Sequence, residues 1–182
     1  TVYKGRDADV EIASYNISLI GSQLKANNGI ITSTDYNVYC IFCKNVKIID
    51  SNLSWSSLSS IVLDANQELY LLNTDYTSHN VQAGSILYKQ WYVDAKAKDT
   101  NNNFLPGVVI NFKNITGDTT QQVITNGSGH IVRQNVTEFT VTNTAKVFQT
   151  IYDILATRGD ESTHQQHNIS GNKDLTFLFS AE

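Results

Sequence analysis

The chain has no methionine, a single proline, two cysteines and few charged side chains: Asp, Glu, Lys and Arg make up only 16% of its 182 residues. An ordinary globular protein carries about 25%. The net charge of −4 comes without a basic tract, which excludes the electrostatic footprint of a nucleic-acid-binding domain. No apolar run approaches the ~20 residues of a membrane-spanning helix. Because the chain starts at Thr1, we expect a mature extracellular protein whose signal peptide has been removed.

Neutral polar side chains replace the missing charge. The sequence contains 19 Asn, 18 Thr and 16 Ser, which are middling to poor helix formers. Its apolar residues fall in short alternating runs rich in β-branched and aromatic side chains, separated by clusters of Asn, Asp, Gly and Ser. Composition and alternation together predict an all-β protein.

An internal repeat dominates the first half. Residues 46–54 reappear as residues 69–77 with the same order of apolar, polar and Asn/Asp positions, and the same shift superposes residues 38–40 on 61–63. A third copy begins at Ile17, at a longer spacing from the copy that begins at Val46. A period of about 23 residues, with two or three short strands and an Asn/Asp corner, is typical of one rung of a parallel β-solenoid.

We therefore predict a short parallel β-solenoid over residues 1–90. The repeat resembles the right-handed parallel β-helix of many secreted microbial proteins, and a β-sandwich with chance similarity is the alternative. Inward side chains of successive rungs should stack in columns, one made of Ile17, Val46 and Leu69 and another of Leu19, Ile48 and Leu71.

Residues 91–182 show a series of short strands separated by frequent turns, which predicts an Ig-like β-sandwich. The order Asp-x-Asn, Leu-Pro-Gly-Val, Thr-Asn-Gly-x-Gly and Tyr-x-Ile resembles the carboxypeptidase-regulatory-like family of Ig-like modules. That resemblance implies a non-catalytic structural module of microbial surface proteins. It is carried by Asp99, Leu105, Pro106, Gly107, Val109, Asn126, Gly127, Gly129 and Tyr152.

Six Asn-x-Ser/Thr triplets are a mild excess over chance and mark candidate glycosylation sites. Glycan attachment requires an exposed, extended or turned backbone, and the hypothesis depends on the protein being secreted. The triplets begin at Asn16, Asn52, Asn114, Asn126, Asn135 and Asn168.

Cys40 and Cys43 are the only cysteines. Residues three apart on a strand face opposite sides, so a bond between them requires the chain to fold back at the corner. Two free thiols, a local disulfide, and a disulfide from Cys43 to a neighbouring molecule all remain open. A metal site would need a second pair of ligands, and His164 and His167 lie in the other predicted domain, so we expect no metal.

No motif predicts catalysis or a cofactor. The repeated strands carry no column of carboxylates, and the chain has neither a Gly-x-Ser-x-Gly elbow nor a glycine-rich phosphate loop. Asp99-x-Asn101-x-Asn103 has the oxygen spacing of a calcium loop but lacks its final acidic ligand, so a plain turn is predicted. Arg158-Gly159-Asp160 is the integrin-binding tripeptide, and it lies in a polar loop between two predicted strands. We expect a protein that is not an enzyme.

Self-assembly is the property that the solenoid pattern predicts. A solenoid ends in open strands unless an element caps them, and open strands are templates for a second molecule. The sequence shows no cap: residues 1–9 are short and polar, and the far end runs directly into the predicted sandwich. Rungs rich in Asn, Thr and Ser stack with little charge repulsion. We therefore predict a homopolymer joined through solenoid edges, with intermolecular disulfides as a possible addition.

The pairing of a short β-helix with such a sandwich resembles archaeal cell-surface proteins of the methanogen type, including the proteins of tubular sheaths. The resemblance implies a structural protein of an extracellular layer, sheath or filament with amyloid-like β-stacking. The alternative is a carbohydrate-binding or adhesion module that presents Trp55, Tyr70, Trp91 or Tyr92. A spike or capsid-associated protein of an archaeal virus would share the same strand stacking.

Overall fold

The computed structural model describes residues 17–19, 36–40, 46–53 and 59–181, and all its regular elements in these ranges are β-strands. The predicted all-β class is confirmed. The strands are β1 (Ile17–Leu19), β2 (Tyr36–Cys40), β3 (Val46–Ile49), β4 (Asn52–Leu53), β5 (Ser59–Leu63), β6 (Glu68–Leu72), β7 (Asp75–Tyr76), β8 (His79–Val81), β9 (Ile86–Asp99), β10 (Val109–Lys113), β11 (Thr119–Ile124), β12 (Gln134–Val141), β13 (Lys146–Phe148), β14 (Tyr152–Arg158), β15 (Glu161–His167) and β16 (Lys173–Phe179).

Strands of the first half stack in parallel. One sheet has the order β1-β2-β5-β8, a second series runs β3-β6-β9, and β4 pairs with β7. The register predicted from the repeat is confirmed in each set, because Val38 pairs with Ile61, Val46 with Leu69 and Asn52 with Asp75. The repeated apolar positions therefore set the alignment of neighbouring strands.

The structure corrects the register at both ends of this stack. Ile17 pairs with Val38, so β1 continues the β2 column and not the column of Val46. The apolar-polar-apolar pattern of β1 is compatible with either column, so the sequence alone does not show which strand β1 pairs with. Beyond β6 the stacking continues, since Glu68 pairs with Ile86. Fewer residues separate Glu68 from Ile86 than separate Val46 from Leu69. A repeat of fixed length therefore does not predict this last pairing.

The chain divides after Gln90 into two compact units, and residues 139–148 belong to the first of them. The core of the first unit contains Ile48, Leu71 and Leu87 together with Phe139 and Val141. We call residues 139–148 the cap hairpin, because they comprise the end of β12 and all of β13, paired antiparallel with Phe139 opposite Phe148.

The cap hairpin corrects the expectation that the far end of the stack lacks a cap. In strand order, β12 neighbours β9 on the side opposite β6, where a further rung would pair. Phe139 and Val141 are only 6% and 3% exposed. Burial lowers the pKa of His79 on β8, and the positive charge of Lys146 on the hairpin lowers it further. The capping segment lies far along the chain from β8, so it carries no local signal.

The second unit is a sandwich-like arrangement of two sheets. An antiparallel sheet has the order β11-β10-β14-β15, and residues 93–99 of β9 pair in parallel with β16. Both contribute to one core, with Phe112, Ile154 and Phe177 fully buried. The turn before His130 depends on Gly129, whose φ is +72° and where a Cβ would lie 2.9 Å from the Leu105 nitrogen.

Candidate functional site

The corner that follows β3 and β6 carries a ladder of polar side chains. Asp50 and Asn73 occupy equivalent positions with φ of 52° and 47°, in the left-handed region that Asn and Asp tolerate best among residues with a Cβ. Asn73 Nδ2 donates a hydrogen bond of 2.7 Å to Asp50 Oδ1. The Asp50 and Asn73 amides donate to the carbonyls of Leu72 and Gln90, so the backbone also connects rung to rung.

A buried lysine ends the inward apolar column. Lys89 takes the position on β9 that pairs with Leu71, yet only 4% of it is exposed. Its amine donates to the Thr74 carbonyl and lies 3.6 Å from Asp75 Oδ1. The long side chain thus fills the core with its methylene groups while its charge reaches the polar corner. The sequence search missed this residue because it lies beyond the last rung that the fixed period aligns.

On the outward face, Tyr70 and Tyr88 stack with ring centroids 4.4 Å apart and planes 6° apart. Lys47 Nζ lies over the Tyr70 ring, 5.7 Å from its centroid. A sugar stacks on an open aromatic face, and Tyr70 has Tyr88 on one ring face and an ammonium group near the ring. This arrangement does not supply the open platform that the adhesion hypothesis requires.

The other aromatic candidates are engaged as well. Trp91 packs against the second core, and its Nε1 donates a hydrogen bond of 2.6 Å to Glu138 Oε2. The Arg133 guanidinium lies 4.9 Å from the Tyr92 ring centroid and pairs with Asp94 at 2.8 Å. Trp55 lies outside the described residues.

Side chains satisfy backbone carbonyls at two strands of the second unit. Gln121 Nε2 donates to the Asn135 carbonyl at 2.7 Å, and the Tyr152 hydroxyl donates to the Thr137 carbonyl at 2.8 Å, both on β12. On β16, the Thr176 carbonyl accepts a bond of 2.8 Å from Gln165 Nε2. Carbonyls occupied in this way are less available to an added strand.

Tyr152 supplies a test of this arrangement. Burial raises the pKa of its hydroxyl to about 12, above the ordinary value of 10.0. Its stabilising contribution is therefore complete below pH 10 and is lost as the pH rises from 10 to about 12. We expect Tyr152→Phe to lower the free energy of unfolding by about 1 kcal/mol at neutral pH, because the Thr137 carbonyl loses its donor.

Denaturant unfolding of both proteins across this alkaline range measures the effect. The difference between the natural protein and Tyr152→Phe should shrink as the pH rises, since only the natural protein carries this ionisable group. An equal pH dependence in the two proteins would contradict the assignment.

The predicted glycosylation sites differ in their surroundings. Asn114 Nδ2, the atom that would carry a glycan, donates to Gln149 Oε1 at 3.2 Å, and Asn135 is half-buried within β12. Asn16 lies outside the described residues. The exposed candidates are Asn52 on β4, Asn126 in the turn after β11 and Asn168 in the turn after β15. No observation tests glycosylation itself.

Cys40 lies at the end of β2, where its backbone pairs with Leu19 and Leu63. Cys43 lies outside the described residues, so the three predicted redox states stay open. None of the described segments forms a helix with the length and apolar character that crossing a membrane requires. Within the described ranges, no three His, Cys, Asp or Glu side chains gather as potential metal ligands.

Each of the two loop motifs begins at the last residue of a strand and continues into a turn. Gly159 and Asp160 connect β14 to β15, with Arg158 opposite Glu161. Asp99 closes its own turn, since its carboxylate accepts hydrogen bonds of 2.8 Å from the Asn103 amide nitrogen and 2.9 Å from Asn103 Nδ2. The Asn103 side chain is the main cause that lowers the pKa of the Asp99 carboxyl. The residues that sequence analysis missed are Lys89 and the cap hairpin.

No family model and no curated protein matches the chain. The Bacillus anthracis TIE protein is 14% identical over 58% of this chain and 20% of its own, with a TM-score of 0.34. The major pilin subunit of Bacillus cereus is 14% identical over 50% of this chain and 28% of its own, with a TM-score of 0.27. The chain thus spans a fifth and just over a quarter of these two proteins. A likeness of this size carries no functional information.

Proposed function

We propose that the chain is a non-catalytic structural protein of an extracellular cell-surface layer, sheath or filament. It consists of a short parallel β-solenoid over residues 1–90 followed by an Ig-like β-sandwich over residues 91–182. The observation that carries the proposal is the in-register parallel stacking of three sets of strands. The Asp50–Asn73 hydrogen bond supports it, because it joins two neighbouring turns of the chain along the stacking axis.

The cap hairpin changes how such molecules can join. It occupies the far end, so the proposed joint uses the near end of the described strands, at β1. A filament also needs a second, complementary surface. That surface is the outer edge of β13, the last strand of its sheet, where Val147 and Phe148 are each 48% exposed. Contact between β1 of one copy and β13 of the next is heterologous and builds an open filament.

The test is electron microscopy of the full chain with and without a strong reductant, beside a Val147→Lys variant. Lysine on an edge strand opposes pairing with another chain. We expect ordered filaments or sheets from the natural sequence and discrete particles from the variant. Thr163→Lys is the matched control, because it changes a half-buried position on β15 and should leave assembly unchanged. Discrete monomers of the natural sequence in both buffers would overturn the proposal.

Finer features of this proposal come from composition and architecture. The nearest assignment is a methanogen-type tubular sheath protein. Within it, Cys40 and Cys43 are the candidates for disulfides between molecules, and Asn52, Asn126 and Asn168 are the exposed candidates for glycan attachment. Loss of ordered contacts after reduction supports the disulfide, whereas filaments that survive reduction assign the joint to β-pairing alone.

A further inference from the structure

Two tyrosines form a face-to-face pair on adjacent parallel strands. Tyr70 on β6 and Tyr88 on β9 are partners in register, and their planes differ by only 6° at a centroid separation of 4.4 Å. In-register parallel pairing places equivalent atoms of the two side chains one strand spacing apart, ~4.8 Å. The two phenol rings therefore face one another across the strand pair.

We propose that Tyr70 and Tyr88 form an oxidative cross-linking site, at which an oxidant of the peroxide and haem-peroxidase class joins the two rings as dityrosine. This inference does not depend on the proposed function, because it concerns a bond within one molecule.

The chemistry balances with hydrogen peroxide as the acceptor. Each phenol loses one electron to the oxidised peroxidase and one proton to solvent, which leaves two phenoxyl radicals. The radicals couple through one ortho carbon of each ring, and the hydrogens on these carbons then move to the phenol oxygens. Peroxide takes up the two electrons and two protons and becomes two water molecules. The protein loses two hydrogen atoms in total.

The surroundings favour this pair over the other tyrosines whose side chains the structure describes. Tyr70 and Tyr88 are half-buried at the outward face. Burial is the main cause that raises the pKa of both hydroxyls, with the Glu68 carboxylate contributing. Both phenols are therefore protonated at neutral pH, and each loses its proton together with the electron.

Three other tyrosines whose side chains the structure describes face other groups. Tyr152 is buried and bonded to the Thr137 carbonyl. Tyr76 lies beside His79 at a ring separation of 5.7 Å, and Tyr92 faces Arg133. Among the described side chains, Tyr70 and Tyr88 are the tyrosine rings that stack on one another. Preorganised partners couple intramolecularly before they meet a second molecule.

The experiment treats the dilute full chain with a haem peroxidase and hydrogen peroxide. Cleavage at Asp75, which lies between the two tyrosines, separates them into different peptides unless they are cross-linked. We expect a linked peptide pair lighter by two hydrogen atoms, dityrosine fluorescence, and a product that still runs as a monomer. The linked protein should also unfold at higher denaturant concentration, because the bond restricts the unfolded chain.

The variants separate stacking from chance oxidation. Tyr70→Phe and Tyr88→Phe keep the ring but lack the phenol, so both should lose the linked pair. Tyr92→Phe is the matched control and should retain it. Unfolding the natural protein in urea before oxidation should abolish the selectivity for this pair. The proposal would be overturned if the yield of dityrosine were the same in Tyr70→Phe, in Tyr92→Phe and in the urea-unfolded protein. It would also be overturned if dityrosine formed only between molecules.

Discussion

Replacing Leu71 with Asp is expected to lower the free energy of unfolding of the first unit by at least about 3 kcal/mol, the largest effect that we predict. Leu71 is fully buried between Ile48 and the lysine-bearing strand β9. A carboxylate there loses its hydration. Although Lys89 follows in the same column, its amine is already bound at the Thr74 carbonyl, so it is not placed to neutralise the new charge.

The measurement is denaturant unfolding followed by far-ultraviolet circular dichroism. Leu178→Asp is the matched control, because it makes the same chemical change at a position on β16 that is 59% exposed. The control should change stability by less than about 0.5 kcal/mol, as surface substitutions usually do. If the two variants were equally stable, the assignment of Ile48 and Leu71 to a buried column of the core would be wrong.

Truncating Phe139 to Ala is expected to cost about 3 kcal/mol and to promote association of the protein, because deleting a core aromatic ring leaves a cavity. Phe139 is 6% exposed and contributes to the core of the first unit from the cap hairpin. Loosening the hairpin uncovers the edge of β9 on the side away from β6, and an uncovered strand edge recruits other chains.

Phe148→Ala is the control within the same hairpin. Phe148 lies opposite Phe139 with ring centroids 5.6 Å apart, but it is 48% exposed. We expect its truncation to cost only about 1 kcal/mol. Denaturant unfolding gives the stability, and light scattering after size-exclusion chromatography gives the association. A Phe139→Ala protein that elutes as the natural one does and unfolds at the same denaturant concentration would refute the capping role of the hairpin.

The predictable part of this fold is local and periodic. The run of apolar and Asn/Asp positions at 46–54 and 69–77 predicted both the strands and their register, because parallel neighbours align equivalent residues. The corner residues Asp50 and Asn73 were also predictable from the repeat, because they occupy equivalent positions in it and because Asp and Asn tolerate a positive φ. Where the step between paired strands shortens, at Ile86, the fixed period of the repeat does not predict the pairing.

The candidate site was less predictable than the fold. Tyr70 was identified only as a candidate sugar platform, because the fixed period of the repeat did not align it with Tyr88. Their stacking follows from the shorter register that joins β6 to β9. The burial of Lys89 was not predicted, because Lys89 also lies on β9, beyond the strands that the fixed period aligns. A buried lysine also departs from the apolar pattern by which core residues are recognised.

The sequence by itself determined the all-β class, the repeating register of the first unit and the polar corner between its rungs. These depend on neighbours related by a fixed shift along the chain. The tertiary structure decided which core the cap hairpin enters. Phe139, Thr140 and Val141 alternate as any half-buried strand does, and this alternation shows which side chains are buried without showing what they are buried against. Only the packed chain, in which residues 139–148 join the first unit, closes the far end of the stack.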